Sequence, residues 1–263
     1  MKKLLYTLLV GGASALLVTS CMEVDNFDAP SEHLTGNIID VTTGKNILAD
    51  QGEARVRIWE KSFSLNPGNQ NILVKMDGSY NNTKLFAGTY DIVPEGPWWP
   101  ADTLRNVPIG GKVTQNFEVT PYLKLADFSA VLDGDTMRIK GRLAVPPIPA
   151  ANAERGDVMP ALMDVRCFIS VNQFCGNANH LDAYHNLEID KVKQTIISDR
   201  RSWAQITGGV TDENGYAYST RTYEFNLWAK PGYTFFVRMG ARVDDTYQMY
   251  NYSEVVKIEV PQK

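Results

Sequence analysis

From His33 onward the chain is built of short segments that alternate apolar and polar residues and end at Gly, Pro, Asn or Asp. Ala54-Arg-Val-Arg-Ile-Trp59 is the clearest case, with Ala54, Val56 and Ile58 on one face. Side chains of an extended strand point alternately to opposite faces, so this period builds half-buried strands and does not suit a helix. Leu34–Asp40 and Asn71–Met76 are further strands, and Leu85–Val93 runs into a strand through Gly88. Thr42–Lys45, Asn66–Asn69 and Asp77-Gly78 supply the turns between them, and Val113–Val119 closes the unit. Strands at this spacing, with no helical period, predict an all-β sandwich over residues 33–121.

Pro121-Tyr122 marks a boundary, and a second all-β unit follows over residues 122–263. Phe128–Leu132 and Met137–Val145 flank Asp133-Gly134-Asp135 and read as a hairpin. Val145–Pro149 begins a stiff loop, and Asp164–Val171 is a strand. Tyr233–Val243 and Ser253–Val260 alternate strongly and look like the last two strands of a sandwich similar to immunoglobulin and fibronectin type III domains. Residues 175–203 show no clear period, and 190–198 suit either a strand or a short helix. The fold class is thus all-β, two β-sandwich domains in tandem.

The N-terminal end differs in kind. Lys2 and Lys3 precede a mostly apolar stretch, Leu4–Val18, too short to span a bilayer, and Val18-Thr-Ser-Cys21 ends it. This is the layout of an export signal over residues 1–20, and its ending resembles the lipobox of bacterial lipoproteins, in which the Cys is lipidated. Cys21 is therefore the expected lipid attachment point, and residues 21–32, with Glu23, Asp25 and Asp28, form a solvated tether. The formal net charge is −4. No run of Lys or Arg exceeds two residues, which argues against nucleic acid as a partner.

Gly36-Asn-Ile-Ile-Asp40 with Thr43-Gly44, then Asp77-Gly78-Ser-Tyr80, then Leu85-Phe-Ala-Gly88-Thr-Tyr90, resemble the transthyretin-like, carboxypeptidase-regulatory β-sandwich. That resemblance implies a scaffold and no catalysis. The whole arrangement, with a tether reading Asp-Asn-Phe-Asp-Ala-Pro (residues 25–30), is similar to an uncharacterised two-domain lipoprotein family of gut Bacteroidetes. Its implications are an outer-membrane, surface-side location, attachment to the membrane through lipid, and an accessory role beside outer-membrane glycan importers. Polysaccharide would then be the ligand.

Pro94-Glu-Gly-Pro-Trp98-Trp99-Pro100 is the sharpest local feature. Aromatic rings stack on sugar faces, and Glu95, Asp102 and Arg105 stand ready to bond hydroxyls, so an exposed platform here would bind glycan. The competing reading is packing, with Trp98 and Trp99 plugging the seam between the domains, since large aromatics are more often buried. Tyr216, Tyr247, Tyr250 and Tyr252 form a second aromatic group, the last three placed in the loop before the final strand. His180 and His185 with Asp182 have a spacing that suits neither a helix face nor a strand face, so no metal is expected. Asp212–Gly215 reads as a tight turn and not a calcium loop. Cys167 and Cys175 are either a small disulfide loop or free thiols, the latter favoured if one straight strand holds both. No nucleophile elbow, zinc-protease motif or phosphate loop is present, and no cofactor is implied. The expected function is non-catalytic glycan binding in polysaccharide uptake; the alternative is a structural or partner-docking module with no sugar binding of its own.

Overall fold

Side-chain alternation becomes nine short strands in the first sandwich. They are β1 (Glu32–Asp40), β2 (Lys45–Asn46), β3 (Arg55–Glu60), β4 (Asn69–Leu73), β5 (Ser79–Leu85), β6 (Gly88–Glu95), β7 (Leu104–Ile109), β8 (Lys112–Thr114) and β9 (Phe117–Val119). The computed structural model describes residues 28–63, 65–181, 184 and 195–262, so Cys21 and the segment ahead of it lie outside the described residues. One sheet pairs β1 with β2 and β5 on antiparallel ladders and with β8 and β9 in parallel. The facing sheet runs β4-β3-β6-β7. Leu34, Ile38, Val56, Ile58, Tyr80 and Ile92 fill the space between them.

The residues that carry the family resemblance have visible jobs. Asp40 ends β1 and accepts hydrogen bonds from the Thr42 N–H (2.8 Å), the Thr42 hydroxyl (2.6 Å) and the Thr43 hydroxyl (3.0 Å), which ties the turn. Gly78 has φ 77°, and a Cβ there would stand 2.4 Å from the Ile47 carbonyl, so only glycine turns this corner. Tyr90 is buried, and its hydroxyl donates to the Phe86 carbonyl at 2.9 Å, closing the turn into β6.

The second sandwich contains β10 (Lys124–Asp133), β11 (Thr136–Val145), α1 (Ala150–Glu154), β12 (Leu162–Ser170), β13 (Ile196–Ile197), α2 (Trp203–Thr207), β14 (Ala217–Tyr218), β15 (Tyr223–Trp228), β16 (Thr234–Val243), β17 (Tyr250–Tyr252) and β18 (Val256–Glu259). β11 pairs with β10, β14 and β15; β16 pairs with β12, β17 and β18, and β13 extends the second sheet beyond β12. Ser31–Lys263 form one compact unit, so contacts between the two sandwiches are part of its fold.

Several boundaries differ from the sequence expectation. Val113–Val119 is two strands, interrupted where the Gln115 N–H donates to Thr35 O (2.8 Å). Tyr250 and Tyr252 belong to β17, not to the loop before the last strand. Among the described residues, two short helices also depart from the all-strand pattern. The Ser202 hydroxyl accepts from the Gln205 N–H, and the Gln205 side chain accepts from the Ser202 N–H, a capping box that starts α2.

Candidate functional site at the domain seam

Trp98 and Trp99 join the two sandwiches. An isolated bridge pairs Trp98 with Pro121, and the Trp99 N–H donates to Thr120 O at 3.0 Å. The Pro97 carbonyl accepts from the Tyr122 N–H (3.1 Å) and from Asn251 Nδ2 (2.8 Å). An extended backbone sends neighbouring side chains to opposite sides, and here those sides are two different cores. Trp98, 2% exposed, packs in the first core; Trp99, 3% exposed, packs in the second, with its ring 5.1 Å from that of Tyr122. The exposed stacking platform expected for this pair is therefore corrected: neither ring is displayed, and both serve the seam. Gly96 makes this geometry feasible, because a Cβ at that position would stand 2.2 Å from the Trp98 ring.

The other expected site residues scatter. Asp102 accepts from Arg155 at 2.9 Å, and Arg105 donates to Asp91 at 2.8 Å, so neither joins a site with the tryptophans. Tyr216 stacks against Tyr218, with ring centres 6.4 Å apart. Tyr250 and Tyr252 are buried around Phe168, which corrects their placement as exposed binding residues. Their hydroxyls donate to Asp164 (2.8 Å) and Glu53 (2.9 Å) respectively. Asp212 accepts from the N–H groups of Asn214 and Tyr216, both at 2.9 Å, as a turn residue does.

Glu95 and Tyr247 do converge. With Trp98, Pro100, Tyr122 and Asp245 they line a cleft of about 250 Å³ between the sandwiches. Glu95 is buried and held by Arg55 (2.8 Å) and Arg57 (2.9 Å). The Arg55 guanidinium also stacks over the Tyr247 ring at 5.4 Å, and 37% of Tyr247 remains exposed. Burial, then the neighbouring Glu95 carboxylate, raises the Tyr247 phenol above its ordinary range. Burial likewise raises the Asp245 carboxyl, against the Gln248 N–H that donates to it at 2.6 Å. Arg55 and Asp245 are the members that sequence reasoning missed; the Asp244-Asp245 pair just ahead of Tyr247 was the available signal. A larger cavity, about 410 Å³, lies between Asp40, Lys45, Leu123, Lys124 and Tyr252.

Arg238 anchors the seam elsewhere. It is 1% exposed, donates to Ala49 O and Cys175 O (both 3.1 Å) and to Ser253 O (3.0 Å), and stacks 3.9 Å from the Tyr252 ring centre. Asp50 reaches across the seam as well, accepting from the Ala178 N–H at 2.6 Å. Cys167 and Cys175 are free and buried; burial pushes the Cys175 thiol up to about 12, which keeps it protonated and inert. His180 is engaged by Arg166 (2.7 Å) and Asn177 O (3.0 Å), while Asp182 and His185 lie outside the described residues.

Two β-sandwiches joined through a shared seam define the class: a tandem, all-β protein. Residues 32–120, the first sandwich, match the family described as "Protein of unknown function (DUF3823) N-terminal domain". No curated protein matches the chain. Among solved structures, a DUF3823 family protein from Bacteroides uniformis is 24% identical, with a TM-score of 0.66, and the match covers 88% of this chain and 100% of that one. A Bacteroides uniformis protein described as a "putative carbohydrate binding protein" is 19% identical over the same shares, 88% and 100%, with a TM-score of 0.65. A DUF3823 family protein from Parabacteroides merdae is 18% identical, with a TM-score of 0.60 and coverage of 88% and 100%. At these identities the likeness is one of fold.

Proposed function

We propose that this chain is a non-catalytic, glycan-binding accessory of the cell envelope, held to the outer membrane by lipid on Cys21. The observation that carries the reading is the seam cleft, where a partly exposed Tyr247 ring lines the same space as carboxylates from both sandwiches, Glu95 and Asp245. A ring for the apolar face of a sugar, with fixed acceptors for its hydroxyls, is the donor set that carbohydrate needs. The fold shared with the Bacteroides uniformis protein described as carbohydrate binding supports the same reading. A cleft of about 250 Å³ suits one or two sugar rings of a longer chain held at a surface.

Retardation of the detergent-solubilised chain in gels containing polysaccharide tests this. At least one glycan slows it, and Tyr247→Ala restores free migration without lowering the melting temperature; unchanged retardation of that variant rejects the cleft. Lipid attachment predicts that radiolabelled fatty acid enters the chain in cells but not its Cys21→Ala variant, and equal labelling of both rejects it. Partner docking has its own surface: Phe63 and Phe86, 63% and 41% exposed, meet edge to face with ring centres 6.4 Å apart.

A further inference from the structure

The outer face of the β4-β3-β6-β7 sheet carries a charged, aromatic strip that the core does not require. On β3, Arg55, Arg57 and Trp59 point outward while Val56 and Ile58, with Ala54 just ahead of the strand, fill the interior. Register sets them opposite Glu95, Val93 and Asp91 on β6, and opposite Leu73, Asn71 and Asn69 on β4. Each carboxylate is held by two cations. Glu95 takes Arg55 (2.8 Å) and Arg57 (2.9 Å); Asp91 takes Arg105 (2.8 Å) and Lys61 (3.4 Å).

The exposure within this set is unequal. The Glu95 and Asp91 side chains are 9% and 7% exposed, whereas Arg57, Lys61 and Arg105 are 26%, 39% and 68% exposed. Solvent therefore meets a surplus of positive charge on a chain whose net charge is −4. Trp59 lies between the two ion-pair groups, with the Arg57 guanidinium 6.0 Å from its ring centre. Arg57 Nε is buried without a hydrogen-bond partner, although its guanidinium already clamps Glu95. Asn69 and Asn71, exposed on the adjacent strand, add amide donors and acceptors.

A sheet face that needed only solvation would not require a tryptophan with cations on both sides. The half-buried Trp59 ring leaves part of its surface for a pyranose, and guanidinium groups bind carboxylate or sulfate through paired N–H donors. The strip begins at the cleft, because Arg55 touches both Glu95 and the Tyr247 ring. From Arg55 to Trp59 it extends about 13 Å at the usual strand rise, a length suited to an oligosaccharide. Resting on the glycan-binding reading above, we propose that the outer face of β3 from Arg55 to Trp59 is a binding site for an acidic oligosaccharide bearing carboxylate or sulfate groups.

The test titrates the detergent-solubilised full chain with two matched pairs: polygalacturonate oligomers against their methyl esters, and dextran sulfate against dextran. The charged member of at least one pair binds more tightly, and salt weakens it. Trp59→Ala weakens it about tenfold with an unchanged melting temperature, while Trp59→Phe recovers most of the loss. Arg57→Gln weakens the charged member more than its neutral partner, since this guanidinium also holds Glu95. Which pair discriminates tells uronate from sulfate. Equal binding of both members of each pair, or wild-type affinity in both the Trp59→Ala and Arg57→Gln variants, overturns the acidic site. If neutral glycans bind and only Tyr247→Ala abolishes it, the cleft stands and this proposal falls; if no glycan in either pair or in the gels binds, both fall.

Discussion

The two sandwiches share an architecture but place their charges differently. In the first, Asp91 and Glu95 sit on an outer sheet face and meet partly exposed cations. In the second, Asp164, Asp199 and Arg238 are buried at 5%, 5% and 1% exposure, against the core or the seam. Burying a charge is costly unless every polar atom finds a partner, and the second set is built accordingly. Asp199 accepts from Arg201 Nε (2.9 Å) and Nη2 (2.7 Å) and from the Tyr223 hydroxyl (2.9 Å). The carboxylates are buried in both sandwiches; the difference lies in the cations, of which Arg105 in the first is 68% exposed while Arg238 in the second is 1% exposed.

The tryptophan pair gives the strongest way to break this contrast. Trp98→Ala and Trp99→Ala each remove a large ring from a different core, and each should cost about 3–5 kcal/mol. Hydrogen exchange should show the loss of protection in β3 and β6 for the first variant and in β12 and β16 for the second. Loss spread evenly over both sandwiches in either variant would mean that the seam makes them one cooperative unit.

A smaller effect is expected at the buried carboxylate. The Arg201 hydrogen bonds hold the Asp199 carboxyl at about 2, below the 3.8 of a free aspartate. A carboxyl lowered on folding stabilises the protein above its unfolded value, and that contribution is lost as the pH falls from about 4 to about 2. Asp199→Asn should therefore cost about 1 kcal/mol at pH 7 by urea denaturation, because solvent screens the partly exposed Arg201, with the difference from wild type shrinking across that acid range. A constant difference down to about pH 2 would rule out this electrostatic account. The same change at Asp91, on the outer face of the first sandwich, should cost less than at Asp199 in the same assay, because solvent screens its partners.

Much of the first sandwich was legible because its strands obey one rule. Each face is either core or solvent, so Ala54, Val56 and Ile58 announce themselves, and the Asp40 and Gly78 turns follow from local chemistry. β15 was equally regular, with Tyr223, Phe225 and Leu227 buried in alternation, yet it lies beyond the stretch whose period is unclear. The capping box at Ser202 and Gln205 was the signal for α2 amid strand patterns. The site was less legible. Glu95 and Tyr247 were named for separate loops, but their meeting depends on how Asn251 of β17 bonds Pro97 across the seam. Trp98 and Trp99 show why: alternation predicts that adjacent rings diverge, but not that each side holds a core. Trp59 passed as an ordinary strand residue until register set it between two ion-pair groups.

The position of β1 has a mechanical consequence. It is the first strand of the compact unit, so a pull on the chain ahead of Ser31 loads it directly. Along one edge it is bonded to β5 and β2, and along the other to β8 and β9. Tension along this strand acts across its ladders in shear, where many hydrogen bonds share the load and must yield together. Forced unfolding is a matter of rates, and this geometry slows it for a load that enters at the N-terminal end of β1.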